Sequence, residues 1–144
     1  MKDQLISFET AKLARESGFD EECGLNYAQD GEVQTLQYWE GNGNGFESNS
    51  EIDCDFYIEN NPVCSAPTQS LLQRWLREVH EIEVISYPII VGSYSFKIYK
   101  FTEIINIIYL NGRSVSNKKD NNKSWPNYEE ALEEGLQEAL KLIK

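Results

Sequence analysis

The sequence predicts an α+β domain: an antiparallel sheet with three helices, in the order helix–strands–helix–strands–helix, the helices packed mainly on one face. Helical spacing of apolar residues recurs in Phe8–Ser17, Gln69–Glu81 and the closing segment from Asn127 to Lys144 (NYEEALEEGLQEALKLIK). Between these segments lie runs of β-branched and aromatic residues. The dipeptides Asp30-Gly31, Gly92-Ser93 and Asn111-Gly112 punctuate them and suit tight hairpin turns. Strands joined so closely are antiparallel, and helices laid over them give the α+β class.

The first helix is expected to start at Ser7, whose hydroxyl suits an N-cap, and to stop at Gly18 in the left-handed conformation. Phe19 then folds back on Leu13 or Ala14. Cys23–Gln29 and Glu32–Glu40 form a hairpin around Asp30-Gly31, and residues 41–51 (GNGNGFESNSE) a polar excursion. Asp53–Ile58 is a third strand candidate. Pro67 and Thr68 open the second helix, which buries Leu71, Leu72, Trp75, Leu76 and Val79. Ile82–Val91 and Ser93–Ile108 are the next strands, and Arg113–Val115 a last short one. After the polar loop Asn117–Ser124, Asn127 caps the final helix and Glu130 is placed to close a capping box. Glu129, Glu130, Glu133 and Glu134 crowd its N-terminal half while Lys141 and Lys144 end it, as the helix dipole prefers. Tyr128, Ala131, Leu132, Leu136, Ala139, Leu140 and Ile143 share its apolar face. Ala131, Gly135 and Ala139 line up as a stripe of small residues within that face. A mid-helix glycine costs about 1 kcal/mol against alanine, so Gly135 implies close approach of another backbone or sheet.

The chain has 144 residues with 40% hydrophobic and 12% aromatic content, which suits one compact domain over residues 1–144. No apolar run approaches the ~18 residues of a membrane span, and residues 1–15 lack the pattern of a secretion signal. The cytosol of the cell that makes it, without membrane contact, is the expected setting. A net charge of −11 argues against double-stranded nucleic acid, which needs a broad basic face. The acidity serves solubility or, in the sharper reading, offers an acidic surface to a basic partner.

Catalytic constellations are scarce. His80 is the one histidine, which removes most Ser-His-Asp and Cys-His arrangements and leaves a Cys23 or Cys64 couple as a formal option. At the end of the second helix, a cationic His80 ring is favoured by the dipole, so capping or surface exposure is its ordinary role. Three cysteines, Cys23, Cys54 and Cys64, show no ligand spacing, and zinc is not expected. Glu51, Asp53 and Asp55 alternate on one strand face, without the glycine of a calcium loop. Gly41, Gly43 and Gly45 lack the flanking pattern of a phosphate loop. No metal and no cofactor is therefore expected. Arg74, Arg77 and His80, with Trp75 between them, are the best anion-binding candidates, since guanidinium forks match phosphate. Pairing competes, because Glu78 and Glu81 stand four residues from Arg74 and Arg77. Arg113, Lys118, Lys119 and Lys123 are the remaining clustered cations.

Two segments, Cys64–Val84 (CSAPTQSLLQRWLREVHEIEV) and Tyr128–Ile143 (YEEALEEGLQEALKLI), resemble a family of small proteins carried by phages, prophages and mobile elements of Bacteroides-like gut bacteria. The Ala-Pro-Thr-Gln opening, the Trp-Leu-Arg-Glu-x-His helix and the closing Tyr-Glu-Glu-Ala helix carry the likeness. Ser7–Phe19 (SFETAKLARESGF) resembles the same family's opening helix, and together the segments span about a third of the chain. The resemblance implies a phage or mobile-element accessory protein and brings no catalytic or ligand residues with it.

These readings favour a non-catalytic binder of a bacterial or phage protein, offering an acidic surface such as Glu129, Glu133 and Glu134. The alternative is a protein that sequesters a small, nucleotide-like anion through Arg74, Trp75, Arg77 and His80. A small enzyme using carboxylates or a Cys–His couple ranks third.

Overall fold

The computed structural model describes residues 3–35, 49, 62–103, 106–110 and 124–143. It is an α+β arrangement with the expected order of elements and with two three-stranded antiparallel sheets. The chain divides into two compact units, Met1–Thr68 and Gln69–Lys144. The expected strands Asp53–Ile58 and Arg113–Val115, the Asn111-Gly112 turn and the excursion 41–51 apart from Asn49 lie outside the described residues.

In the first unit, helix α1 (Phe8–Glu16) starts where Ser7 Oγ accepts the Thr10 N–H. It ends in a double lock, with Gly18 at φ 93° donating to the Arg15 carbonyl and Phe19 to that of Ala14. Only glycine adopts this backbone freely, and the reversal carries Phe19 into the core at 1% exposure. Strands β1 (Leu25–Ala28) and β2 (Val33–Thr35) pair across the turn containing Asp30-Gly31. The third strand, β3 (Pro62–Ser65), pairs with the other edge of β1, giving the order β2-β1-β3. The sequence conceals β3 because it opens on proline, a strand breaker except at an edge or a strand start, and β3 is both. Arg15 binds the Val63 carbonyl and so ties α1 to β3, while the Tyr27 hydroxyl donates to the Ile6 carbonyl.

In the second unit, helix α2 (Gln69–His80) leads into strand β4 (Ile82–Ile90). Glu81 makes the connection at φ 57°, a left-handed conformation unusual for a side chain with a Cβ. Strand β5 (Ser93–Glu103) returns antiparallel after the Val91-Gly92 turn, one residue earlier than the sequence suggests. The expected strand Ser93–Ile108 is in fact two, because β6 (Asn106–Leu110) folds back on β5 with Glu103 opposite Asn106. No glycine or proline marks that reversal, so the continuous β-branched run hides it.

Helix α3 (Tyr128–Lys141) packs on β4 and β5, and α2 packs on β4 and α3. Asn127 Oδ1 accepts the Glu130 N–H at 2.8 Å, as expected of the cap. The return bond from the Glu130 carboxylate does not form among the described residues. Cross-strand pairing places Val84 with Ile98 and Ser86 with Phe96 on one face of the sheet. Ile82, Val84, Phe96 and Ile98 from that sheet are buried, together with Leu72, Trp75, Leu76, Leu132, Leu136 and Leu140 from the helices. A Cβ at Gly135 would lie 2.8 Å from Val84 Cγ1, so the small stripe is the place where helix meets sheet. Two expected core positions are on the surface: Val79 at 57% exposure and Tyr128 at 41%. Each sits in the terminal turn of its helix, where the covering elements run out.

Candidate functional site

The α2 candidates separate once folded. Leu72, Trp75 and Leu76 form the buried stripe, so Trp75 is 5% exposed and has no free face for stacking a base. Its ring meets His80 edge-on at 4.6 Å. Arg77 points to the opposite, solvent side and reaches Glu83 at 3.3 Å, in place of the expected Glu81. The left-handed backbone at Glu81 turns the chain away from the helix, while Glu83 returns on β4 beside it. Arg74 is exposed and makes no ion pair among the described residues. Thus the arginines and Trp75 occupy different faces of α2, and no shared cleft forms from them.

His80 also departs from expectation. It is half-buried, and its Nε2 has no hydrogen-bond partner among the described residues. Burial lowers its pKa first, and the Lys100 charge adds to the effect, so the neutral ring is favoured. The surroundings thus disfavour the cationic ring that a capping role would use. Both described thiols lie in the first unit and are buried. Cys23 is pushed up to about 11 by burial, against a lowering contribution from its Ser65 hydrogen bond. Cys64 rises to about 11 by burial, which outweighs Arg15 and Lys12. Such thiols are protonated at neutral pH and are poor nucleophiles. Among the described residues, no three His, Cys, Asp or Glu side chains gather as metal ligands. The Glu51, Asp53, Asp55 carboxylates, Cys54, Gly41, Gly43, Gly45, Arg113, Lys118, Lys119 and Lys123 fall outside the described residues.

The acidic face of α3 is better defined. Its first turn is held from both sides. Trp125 exchanges two backbone hydrogen bonds of 2.9 Å with Tyr94 of β5, and its ring lies 5.4 Å from that of Phe96. Ser86 Oγ of β4 donates to the Tyr128 carbonyl at 3.0 Å, and the Tyr128 ring meets Tyr94 edge-on at 6.4 Å. The turn that carries Glu129 and Glu130 is therefore fixed to the turn-proximal half of the β4–β5 hairpin. Glu133 serves packing instead of an open surface: its Oε2 accepts from Gln69 Nε2 at 3.1 Å, and the same amide donates to the Glu129 carbonyl. Glu129, Glu130 and Glu134 keep their carboxylates out of any ion pair among the described residues. Glu138 is paired with Lys141 at 3.1 Å.

One surface feature escapes the sequence reading. Beyond this attachment, at the hairpin's turn, Ile89, Ile90 and Val91 are 47%, 68% and 104% exposed. The signal was Pro88 followed by three apolar residues and a turn glycine, a pattern that reads as strand interior until the turn is located. Among the described residues, no helix is long and apolar enough to cross a membrane. Comparison with protein-family models, curated proteins and solved structures finds no match in any of the three.

Proposed function

We propose that the chain is a non-catalytic accessory protein of a phage or mobile element that binds a bacterial or phage protein in the bacterial cytoplasm. The observation that carries this reading is the α3 start: Glu129, Glu130 and Glu134, unpaired among the described residues, on a turn anchored to the sheet, in a chain of net charge −11. Carboxylates on a rigid platform attract a basic surface without the entropy cost of ordering a loop. The protonated thiols add weight against a cysteine-based enzyme. The buried Trp75 and the Arg77–Glu83 pair add weight against sequestration of a nucleotide-like anion.

Association with the partner is expected to slow steeply as salt rises, since exposed charges are screened beyond ~8 Å at physiological ionic strength. Charge reversal in a Glu129→Lys/Glu130→Lys/Glu134→Lys variant should slow association by about tenfold or more, with the melting temperature lowered only by the lost helix-dipole interaction of the carboxylates. Arg74→Ala/Arg77→Ala should leave binding unchanged. Loss of binding in the arginine variant, with binding kept in the glutamate variant, would transfer the function to α2 and a small anion.

A further inference from the structure

Resting on that reading, we infer that the β4–β5 hairpin tip is the apolar anchor of the same interface, and that its occupant is an apolar cleft on a partner protein, rimmed by lysine or arginine. From Ser86 to Phe96 (SYPIIVGSYSF) the chain has no charged side chain, and the one ammonium laid against it is that of Lys97, 4.7 Å from the Tyr87 ring centroid, among the described residues. Its end presents Ile89, Ile90 and Val91 to solvent, with Val91 fully exposed. At a strand rise of about 3.3 Å per residue, the turn at Val91-Gly92 stands roughly 7 Å beyond Tyr94. A convex apolar knob of this size fills a cleft and cannot itself enclose a ligand.

Charge decides between occupants. Tyr94 joins the two features: Trp125 is bonded to its backbone, and its ring contacts Tyr128, directly before Glu129 and Glu130. The tip therefore carries an acidic flank on a fixed support, the arrangement of an interface with an apolar centre and a polar rim. A partner complementary to both has an apolar cleft with cations beside it. An anionic lipid surface repels the glutamates and the net charge of −11. A second copy of the chain facing this surface brings the same acidic flank against itself, like charge against like.

The test places a photo-crosslinking phenylalanine at position 90, and at exposed position 78 as control, in the tagged full chain, irradiated in lysate of a Bacteroides-like host. Position 90 is expected to give a protein adduct absent from position 78, with the labelled peptide combining apolar residues and flanking lysine or arginine. Ile90→Ser should weaken retention of that same protein at least tenfold, as loss of an interface anchor does. Because Ile90 is exposed, its melting temperature should hold. Equal labelling from both positions, an adduct with lipid or with a second copy, or a labelled peptide without cations overturns the inference. So does undiminished retention of Ile90→Ser. The Glu129→Lys/Glu130→Lys variant separates the two ideas. If it loses the partner while Ile90→Ser keeps it, the acidic surface stands without the tip; the reverse leaves an apolar contact without the acidic surface.

Discussion

Adding one methyl group at position 135 sets two effects of opposite sign against each other. Alanine in a helix interior is worth about 1 kcal/mol over glycine, so on propensity alone Gly135→Ala stabilises. The new Cβ, however, would lie 2.8 Å from Val84 Cγ1, 3.0 Å from Phe96 Cγ and 3.1 Å from Phe96 Cβ. Carbon atoms rest at about 3.5–4.0 Å, so each contact is short by roughly half an ångström or more. None of the three atoms gives way easily. Val84 is β-branched, stiff at χ1 and fully buried, and the two Phe96 atoms belong to the stem of a ring that is 2% exposed. Overpacking of this kind costs about 1–3 kcal/mol, which exceeds the propensity gain over most of its range. Gly135→Ala should therefore destabilise by about 1 kcal/mol, and Gly135→Leu by several times that.

The assay is chemical denaturation of the single variants and of Gly135→Ala combined with Val84→Ala. Val84→Ala alone should cost about 2 kcal/mol through the cavity it leaves. In the double variant the two changes relieve each other, because the methyl at 135 moves into space that Val84 vacates. The summed single losses should exceed the double loss by about 1 kcal/mol or more. A Gly135→Ala protein more stable than the parent, or strictly additive losses, would refute the close approach of α3 to the sheet.

Asn127→Ala should cost about 1 kcal/mol of stability in the same assay, by removing the cap on the Glu130 N–H. Glu81→Gly should stabilise by about 0.5–1 kcal/mol, since φ of 57° strains any side chain and the relief exceeds the entropy glycine adds to the unfolded chain. Asn26 is buried with neither amide nitrogen nor oxygen hydrogen-bonded among the described residues, so Asn26→Leu should stabilise by about 1–3 kcal/mol; a loss instead would show that the amide has a partner. His80 has its folded-state pKa lowered from 6.5 by burial and then by Lys100. The unfolded chain therefore takes up the proton first as pH falls. Its contribution is intact above the unfolded value and is lost as pH drops through 6.5 to the folded pKa. Denaturation midpoints measured from pH ~7 to ~5 should fall in the parent and fall less in His80→Gln. Parallel slopes would mean that His80 does not titrate differently on folding.

The parts of the fold legible in the sequence are those whose signal is local. Ser7, Gly18, Asn127 and Gly135 each solve a backbone problem within a few residues, and each does in the structure what its chemistry implies. Strand pairing is a relation between distant segments, and there local reading loses information. Nothing in Pro62–Ser65 declares that β1 will accept it as a neighbour, and nothing between Ser93 and Leu110 marks the reversal into β6. The candidate site fails in the same way. Arg74, Trp75 and Arg77 are close in sequence, yet a turn of 100° per residue sends Trp75 to the core and Arg77 to Glu83. Conversely, Ile89–Val91 and Glu129–Glu130 are far apart in sequence. They come onto one support only because Trp125 and Tyr128 dock on Tyr94. That docking uses two backbone hydrogen bonds and an edge-on pair of rings, contacts to which almost any sequence with aromatic residues at those positions could lend itself. The functional surface is thus specified by where the α3 start is fastened, and Tyr94 is the fastening point. Tyr94→Ala combined with Ser86→Ala removes both side-chain contacts to Tyr128 and loosens the acidic turn, while the two Trp125 backbone hydrogen bonds and every carboxylate stay in place. If the interface needs the turn held firmly, that change should weaken partner binding, by less than charge reversal does. Undiminished binding with the turn loosened would show that the glutamates act by charge alone.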